Sequence, residues 1–71
     1  MLYPGDVIER TVESHAPKAY GYVGGRYVVK YCKSAAGIEY SVYTECGIRG
    51  ASASNFKLVK HGELGDDNEY L

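Results

Sequence analysis

The sequence RYVVKYCKSAAGIEYSVYTEC, residues 26–46, predicts an antiparallel β-hairpin around which the rest of the chain is arranged. Residues 26–33 and 38–46 alternate β-branched or aromatic side chains with polar ones, which is typical of strands with one buried face. Small residues lie between them, and Gly37 can adopt the positive φ of a tight turn. We therefore expect two strands joined by a turn at residues 34–37.

A register in which Ser34 faces Gly37 gives this hairpin one apolar and one polar face. Because side chains alternate along a strand, the apolar face carries three cross-strand pairs: Tyr27 with Thr44, Val29 with Val42, and Tyr31 with Tyr40. The polar face carries Val28, Lys30, Cys32, Glu39, Ser41, Tyr43 and Glu45. A shift by one residue would move lysine and glutamate into the core, so the pattern favours this register.

The segments that flank the hairpin predict three more strands. Residues 7–12 alternate and form the expected first strand, with Ile8 in the core and on the same face as Val12. Residues 13–25 contain Pro and several Gly, which predicts a loop long enough to be functional. The elements expected after the hairpin are a short strand over 47–50, a one-turn 3₁₀ helix over 51–55, and a last strand over 56–60 with Phe56 and Leu58 on one face.

The length of 71 residues allows one domain and leaves no room for a second lobe or a deep enzyme cleft. Tyrosine is abundant, with eight residues against one Phe and no Trp. A tyrosine can be half-buried with its hydroxyl in water, which suits both a small barrel and a recognition surface.

The charges divide the chain into a mildly basic body, residues 1–60, and an acidic tail, residues 61–71. The body holds all eight Lys and Arg against five acids, and the tail holds four acids and no Lys or Arg. The tail shows no hydrophobic periodicity, so we expect it to be flexible. The basic body leaves nucleic-acid binding open without requiring it.

Cys32 and Cys46 are the two cysteines, and the expected register places them on opposite faces and far apart. A disulfide needs its two Cα atoms within about 7 Å, so we expect free thiols and a reducing compartment. No apolar stretch reaches the roughly 18 residues of a membrane span, and no signal-peptide pattern follows Met1. These features predict a cytoplasmic protein.

The ending Ser54-Asn55-Phe56 followed by KLV resembles the serine–asparagine–aromatic turn and last strand of Src-homology-3-like small barrels. The chain also resembles short bacteriophage-encoded proteins of this shape, through a Gly5-Asp6 opening, a Gly-x-Tyr-x-Val entry to the second strand at residues 25–29, and a Ser-x-Phe ending. The resemblance covers roughly residues 5–60. It implies an all-β, five-stranded Src-homology-3-like barrel with a long first loop and a one-turn 3₁₀ helix before the last strand.

The chain departs from the peptide-binding members of that fold. It lacks their Ala-Leu-Tyr-Asp-Tyr stretch in strand one and the tryptophan after the acidic loop. Proline-rich ligands need that aromatic groove, so we do not expect this activity. A resemblance to glycine-centred nucleic-acid-binding barrels rests on Gly21, Gly24 and Gly25 alone.

No residue pattern points to catalysis, a metal or a cofactor. His15 and His61 have no nucleophile and orienting acid placed around them in the sequence. Asp66-Asp67 lacks the loop spacing of a calcium site, and two cysteines without a nearby histidine make a poor zinc site. We therefore expect a non-enzyme with no metal and no cofactor.

Two kinds of binding remain. A protein-binding module is favoured because tyrosine is enriched at interfaces, and the phage resemblance implies that it modulates or inhibits a host protein. The alternative is a nucleic-acid-binding small barrel, in which bases stack on tyrosines among the cations; the residues concerned are Lys18, Tyr20, Tyr22, Arg26, Lys30, Lys33, Tyr43 and Arg49. Self-association through open sheet edges is a third possibility.

We predict that the partner-binding surface lies on the long loop and beside the turn before the last strand. The predicted residues are Lys18, Tyr20, Tyr22, Arg49, Ser54 and Asn55. The loop offers two aromatic side chains, a cation and flexible glycines, the residue types that interfaces use. Two alternatives are that the loop tyrosines cover one end of the barrel, and that the surface is the polar hairpin face around Lys30 and Tyr43.

Overall fold

Five antiparallel strands and two single helical turns make up residues 2–62, the part of the chain that the computed structural model describes. The elements are β1 (Val7–Arg10), α1 (Pro17–Tyr20), β2 (Arg26–Ala35), β3 (Ile38–Thr44), β4 (Arg49–Ser52), a 3₁₀ turn (Ala53–Asn55) and β5 (Phe56–Lys60). The all-β prediction is confirmed, as is the one-turn helix before the last strand. Nearly all of the predicted acidic tail, residues 63–71, lies outside the described residues.

The strands form one sheet in the order β4-β3-β2-β1-β5, and this sheet is not closed into a barrel. The predicted barrel is therefore wrong. Within residues 2–62, β4 and β5 form the two edges and are connected along the chain by the 3₁₀ turn instead of by a ladder. The N–H of Thr11 donates to the carbonyl of Asn55 at 2.9 Å, which fastens that turn beside the end of β1.

The predicted hairpin forms, but its turn is tighter and its strands are paired differently. Ala36 and Gly37 alone make the turn, with φ of 53° and 79°, the double positive φ of a two-residue type I′ turn. The observed pairs are Val29 with Thr44, Tyr31 with Tyr43, Cys32 with Val42, Lys33 with Ser41, Ser34 with Glu39, and Ala35 with Ile38. The predicted register is therefore wrong.

An irregularity between Val29 and Tyr31 changes which side chains face the core. One extra residue in a strand reverses the alternation beyond it. Val29 is fully buried and Cys32 packs against the core, whereas Tyr31 is 43% exposed. Tyr40 is 50% exposed. The prediction that both tyrosines lie in the core is wrong, as is the placement of Cys32 on the polar face.

The core is small and lies where β1, β2 and β3 meet. Ile8, Val29 and Val42 are fully buried, which confirms them as predicted core residues. Leu2, Tyr27, Cys32, Ala53 and Phe56 are partly buried against them. Full burial of such an aliphatic side chain stabilises the fold by about 1.5–3 kcal/mol.

The first and fourth strands have other bounds than predicted, whereas the fifth does not. β1 stops at Arg10, so Val12 lies outside the strand and is exposed. β4 begins at Arg49, after a turn at Gly47, instead of spanning 47–50. The last strand is confirmed over 56–60, with Phe56 half-buried but Leu58 exposed.

Candidate functional site

The long loop between β1 and β2 contains one regular element that the sequence did not predict. α1 is a single turn with Pro17 in its first positions, where the missing N–H of proline costs no helical hydrogen bond. Gly21 ends it at φ 102°, and its N–H donates to the carbonyl of Pro17 at 2.8 Å. A Cβ at Gly21 would lie 3.1 Å from the Tyr27 ring and 3.2 Å from Ile48. The loop is therefore packed closely onto the end of the core.

The side chain of Arg10 holds this loop in place through two hydrogen bonds. Its side chain is only 4% exposed and lies over the ring of Phe56, with 5.4 Å between the guanidinium carbon and the ring centroid. Nε donates to the carbonyl of Val12 at 2.5 Å and Nη1 donates to that of Tyr20 at 2.9 Å. The two bonded carbonyls lie at the start of the loop and at the end of α1, so one side chain fixes both.

Tyr20 and Tyr22 project from the loop instead of covering the core. Tyr20 is 37% exposed and Tyr22 is 53% exposed. The main-chain N–H of Tyr22 donates to the hydroxyl of Tyr27 at 2.8 Å. Tyr27 in turn packs edge-on against Phe56, with the ring centroids 6.4 Å apart. Half-buried Tyr27 therefore supports the backbone that presents the two exposed rings.

A surface cavity with a volume of about 310 Å³ lies between this loop, β4 and the 3₁₀ turn. We call it the Arg10 cavity. The lining residues that matter chemically are Arg10, Glu13, His15, Tyr20, Ser52 and Asn55. Two of the six predicted site residues, Tyr20 and Asn55, therefore meet at one surface. Sequence reasoning missed Arg10 as part of this site, although its place on the Ile8 face of β1 was a signal.

The other predicted site residues lie outside the Arg10 cavity. Lys18 is exposed on α1, and Ser54 is exposed on the 3₁₀ turn, where its hydroxyl hydrogen-bonds that of Ser52 at 3.0 Å. Tyr22 lines a separate, smaller cavity of about 240 Å³. Arg49 pairs with Tyr43 in the β3–β4 ladder and belongs to a different surface.

That second surface, the tyrosine face, consists of Lys30, Tyr31, Lys33, Tyr43 and Arg49 on strands β2, β3 and β4. The rings of Tyr31 and Tyr43 are stacked, with centroids 4.4 Å apart and planes inclined by 13°. The Lys33 ammonium lies 5.4 Å from the Tyr43 centroid, and its interaction with Tyr43 raises the pKa of Lys33. The predicted register concealed this stack because it placed Tyr31 in the core.

The thiols differ in their surroundings. Cys32 and Cys46 are both free. Burial, with a smaller contribution from Glu39, raises the pKa of the Cys32 thiol to about 11. Cys46 is exposed in the turn before β4, with its sulfur 3.2 Å from the Thr44 hydroxyl. Cys32 is therefore the less reactive thiol, because only the thiolate is strongly nucleophilic.

In residues 2–62, the His, Cys, Asp and Glu side chains form no group of three or more that could hold a metal ion. No helix in the same part of the chain has the length and apolar character needed to cross a membrane. In comparisons with known proteins, no family model, no curated protein and no solved structure matched the chain. Inference about function therefore rests on the geometry of the two surfaces.

Proposed function

We propose that this protein is a non-enzymatic binding module that recognises a protein partner through the Arg10 cavity and the tyrosines beside it. The observation that carries the proposal is the meeting of Tyr20 and Asn55, 35 positions apart in the chain, at one concave surface. Interfaces favour exposed aromatic side chains around a recess that a partner side chain can fill.

The anchoring of the loop supports this role. Hydrogen bonds from Arg10 and to Tyr27 hold the main chain of Tyr20 and Tyr22, while both rings remain exposed. A surface that is ordered before binding loses less conformational entropy when the partner arrives. The loop therefore has the rigidity that a recognition surface benefits from.

The finer identity is part of the same proposal. Five antiparallel strands, a long first loop and a 3₁₀ turn before β5 support a Src-homology-3-like relationship, with the sheet left open. The Gly5-Asp6 opening and the Ser54-x-Phe56 ending support a relationship to bacteriophage proteins. On that basis we propose a host protein as the partner.

A capture experiment with matched variants tests the proposed function. The wild-type chain, the double variant Tyr20→Ala/Tyr22→Ala and the control Tyr40→Ala are each used as bait in bacterial host lysate treated with nuclease. Tyr40 is as exposed as Tyr22 but lies on the hairpin, away from both cavities that border α1. We expect wild type and Tyr40→Ala to retain the same partner. In the double variant, the binding free energy for that partner should weaken by about 2 kcal/mol or more.

The double variant should also melt within a few degrees of wild type, because both rings are largely exposed. Unfolding of the double variant would mean that the tyrosines are structural. Unchanged capture by a folded double variant would place the binding surface elsewhere and refute the proposal.

Single-stranded nucleic acid is the second candidate ligand, and the stacked pair on the tyrosine face favours it. Tyr31 offers an exposed ring for a base, and Lys30, Lys33 and Arg49 surround the pair. Glu45 lines the same surface and opposes a phosphate backbone. Protein binding remains the first proposal for that reason.

Salt dependence separates the two candidates. Nucleic-acid affinity must fall steeply with salt because each phosphate contact releases counterions. We expect no retention of a labelled oligonucleotide, single- or double-stranded, at ~0.15 M salt, measured by fluorescence anisotropy. Micromolar binding of the single strand that disappears in Tyr31→Ala and persists in Tyr40→Ala would establish the second candidate in its place.

A further inference from the structure

Arg10 is a buried cation without a carboxylate partner in the described part of the chain. Its side chain is 4% exposed, yet residues 2–62 place no Asp or Glu within ion-pair distance of its guanidinium. Arginine remains charged at any pH that a folded protein tolerates. A buried charge is costly unless an opposite charge pairs with it. The groups that contact Arg10, the carbonyls of Val12 and Tyr20 and the ring of Phe56, carry no net negative charge.

The guanidinium also has unused hydrogen-bonding capacity. Nε and Nη1 donate to main-chain carbonyls, and Nη2 forms no hydrogen bond within residues 2–62. Arg10 lines the cavity of about 310 Å³, which is open to solvent. The positive charge is therefore accessible to a small group that enters from outside.

We propose that the Arg10 cavity binds a single carboxylate group of an acidic peptide segment on the protein partner. The carboxylate accepts hydrogen bonds from the guanidinium of Arg10, whose planar set of donors matches the geometry of a carboxylate. His15 and Asn55 line the same cavity and carry polar groups that can donate to the peptide around it. The inference rests on the proposed function for its partner, but not for the existence of the site.

Glu13 explains why the ligand is a carboxylate and not a phosphate. It lines the same cavity, so its own negative charge opposes an entering anion. The opposition grows with the charge of the ligand, and a phosphate carries up to two negative charges near neutral pH. A singly charged, planar carboxylate gains the full attraction of Arg10 against the smallest repulsion from Glu13.

The test is a titration of the purified full chain, followed through ¹⁵N–¹H signals of the Arg10 Nε–H and the Tyr20 main-chain amide. The probes are a capped tripeptide with one central glutamate, the same tripeptide with glutamine, sodium acetate and inorganic phosphate. We expect saturable shifts with the glutamate peptide and acetate, weaker binding of phosphate, and no saturation with the glutamine peptide. Equal responses to the two peptides, or tighter binding of phosphate, would overturn the proposal.

Two exposed positions allow the site to be changed without altering Arg10, whose removal would also release the loop. Glu13→Gln removes the opposing charge and should tighten binding of the glutamate peptide about two- to fivefold. Ser52→Glu places a competing carboxylate at the cavity and should abolish the saturable shift, while the matched control Ser52→Gln should retain it. Unchanged affinity in Glu13→Gln or Ser52→Glu would refute the site.

The chain's own acidic tail is the other source of carboxylates. A full-length variant with Glu63→Gln, Asp66→Asn, Asp67→Asn and Glu69→Gln addresses it. We expect this variant to leave the Arg10 Nε–H signal and the peptide affinity unchanged. A shifted signal without probe, together with tighter peptide binding, would assign the site to the tail and overturn the partner assignment.

The titration tests the carboxylate site, and the capture experiment tests the proposed function, so each proposal can be refuted without the other. If the glutamate peptide does not bind but Tyr20 still governs capture, the carboxylate site is wrong and the binding module stands. If the peptide binds but capture of the partner does not depend on Tyr20 and Tyr22, the site exists and the proposed function is wrong.

Discussion

The two ends of the β2–β3 hairpin carry similar residues and bury them very differently. Near the middle of the sheet, Val29 and Val42 are fully buried, with β1 paired to the early part of β2 and β4 paired to the later part of β3. Toward the turn, Ile38 and Tyr40 are 69% and 50% exposed. Alternation selects the face of a strand, but burial also requires another element to cover that face.

The largest effect expected along this hairpin is at its buried end. Val29→Ala and Val42→Ala should each lower the free energy of unfolding by ~1–4 kcal/mol, because each leaves a cavity in a core of few residues. Ser41→Ala, on the same strand as Val42 but facing the other way, should cost no more than ~0.5 kcal/mol. Denaturant midpoints measure all three, and a reversed order would mean that the inner and outer faces are assigned wrongly.

The reactivities of the two thiols give a second comparison, between the partly buried Cys32 and the exposed Cys46. Since only the thiolate reacts and the pKa of Cys32 is raised to about 11, iodoacetamide at pH 8 should label Cys46 at least about tenfold faster. Raising the pH should accelerate labelling of Cys32 by about tenfold per unit until it approaches that pKa. Peptide mass spectrometry of timed samples gives both rates. Faster labelling of Cys32 at pH 8 would show that this thiol faces solvent.

The smallest effect distinguishes two exposed tyrosines. Tyr31→Ala removes the stack with Tyr43 and should cost about 0.5–1.5 kcal/mol, whereas Tyr40→Ala should stay within about 0.5 kcal/mol. Thermal unfolding of the two variants side by side measures the difference. A greater loss for Tyr40→Ala would support the register in which Tyr31 faces Tyr40.

The candidate site was predictable only in part. The aromatic residues among glycines in the first loop predict a binding surface there, and Tyr20 and Asn55 do line one cavity. The predicted site also includes Arg49, a cation on a short strand, but its ladder position opposite Tyr43 places it on the tyrosine face. The role of Arg10 depends on carbonyls at residues 12 and 20, and no local pattern reveals which carbonyls a buried arginine will meet.

The sequence by itself determined the local choices in this protein. Alternating β-branched residues specify strands, Gly37 permits a turn with positive φ, and the apolar character of Ile8, Val29 and Val42 favours their burial. The tertiary structure decided the rest. Whether the bulge after Val29 forms, whether the sheet closes, and which surface Tyr31 joins depend on contacts between residues far apart in the chain. Such contacts are set by the packing of whole strands, so alternation within one strand cannot specify them.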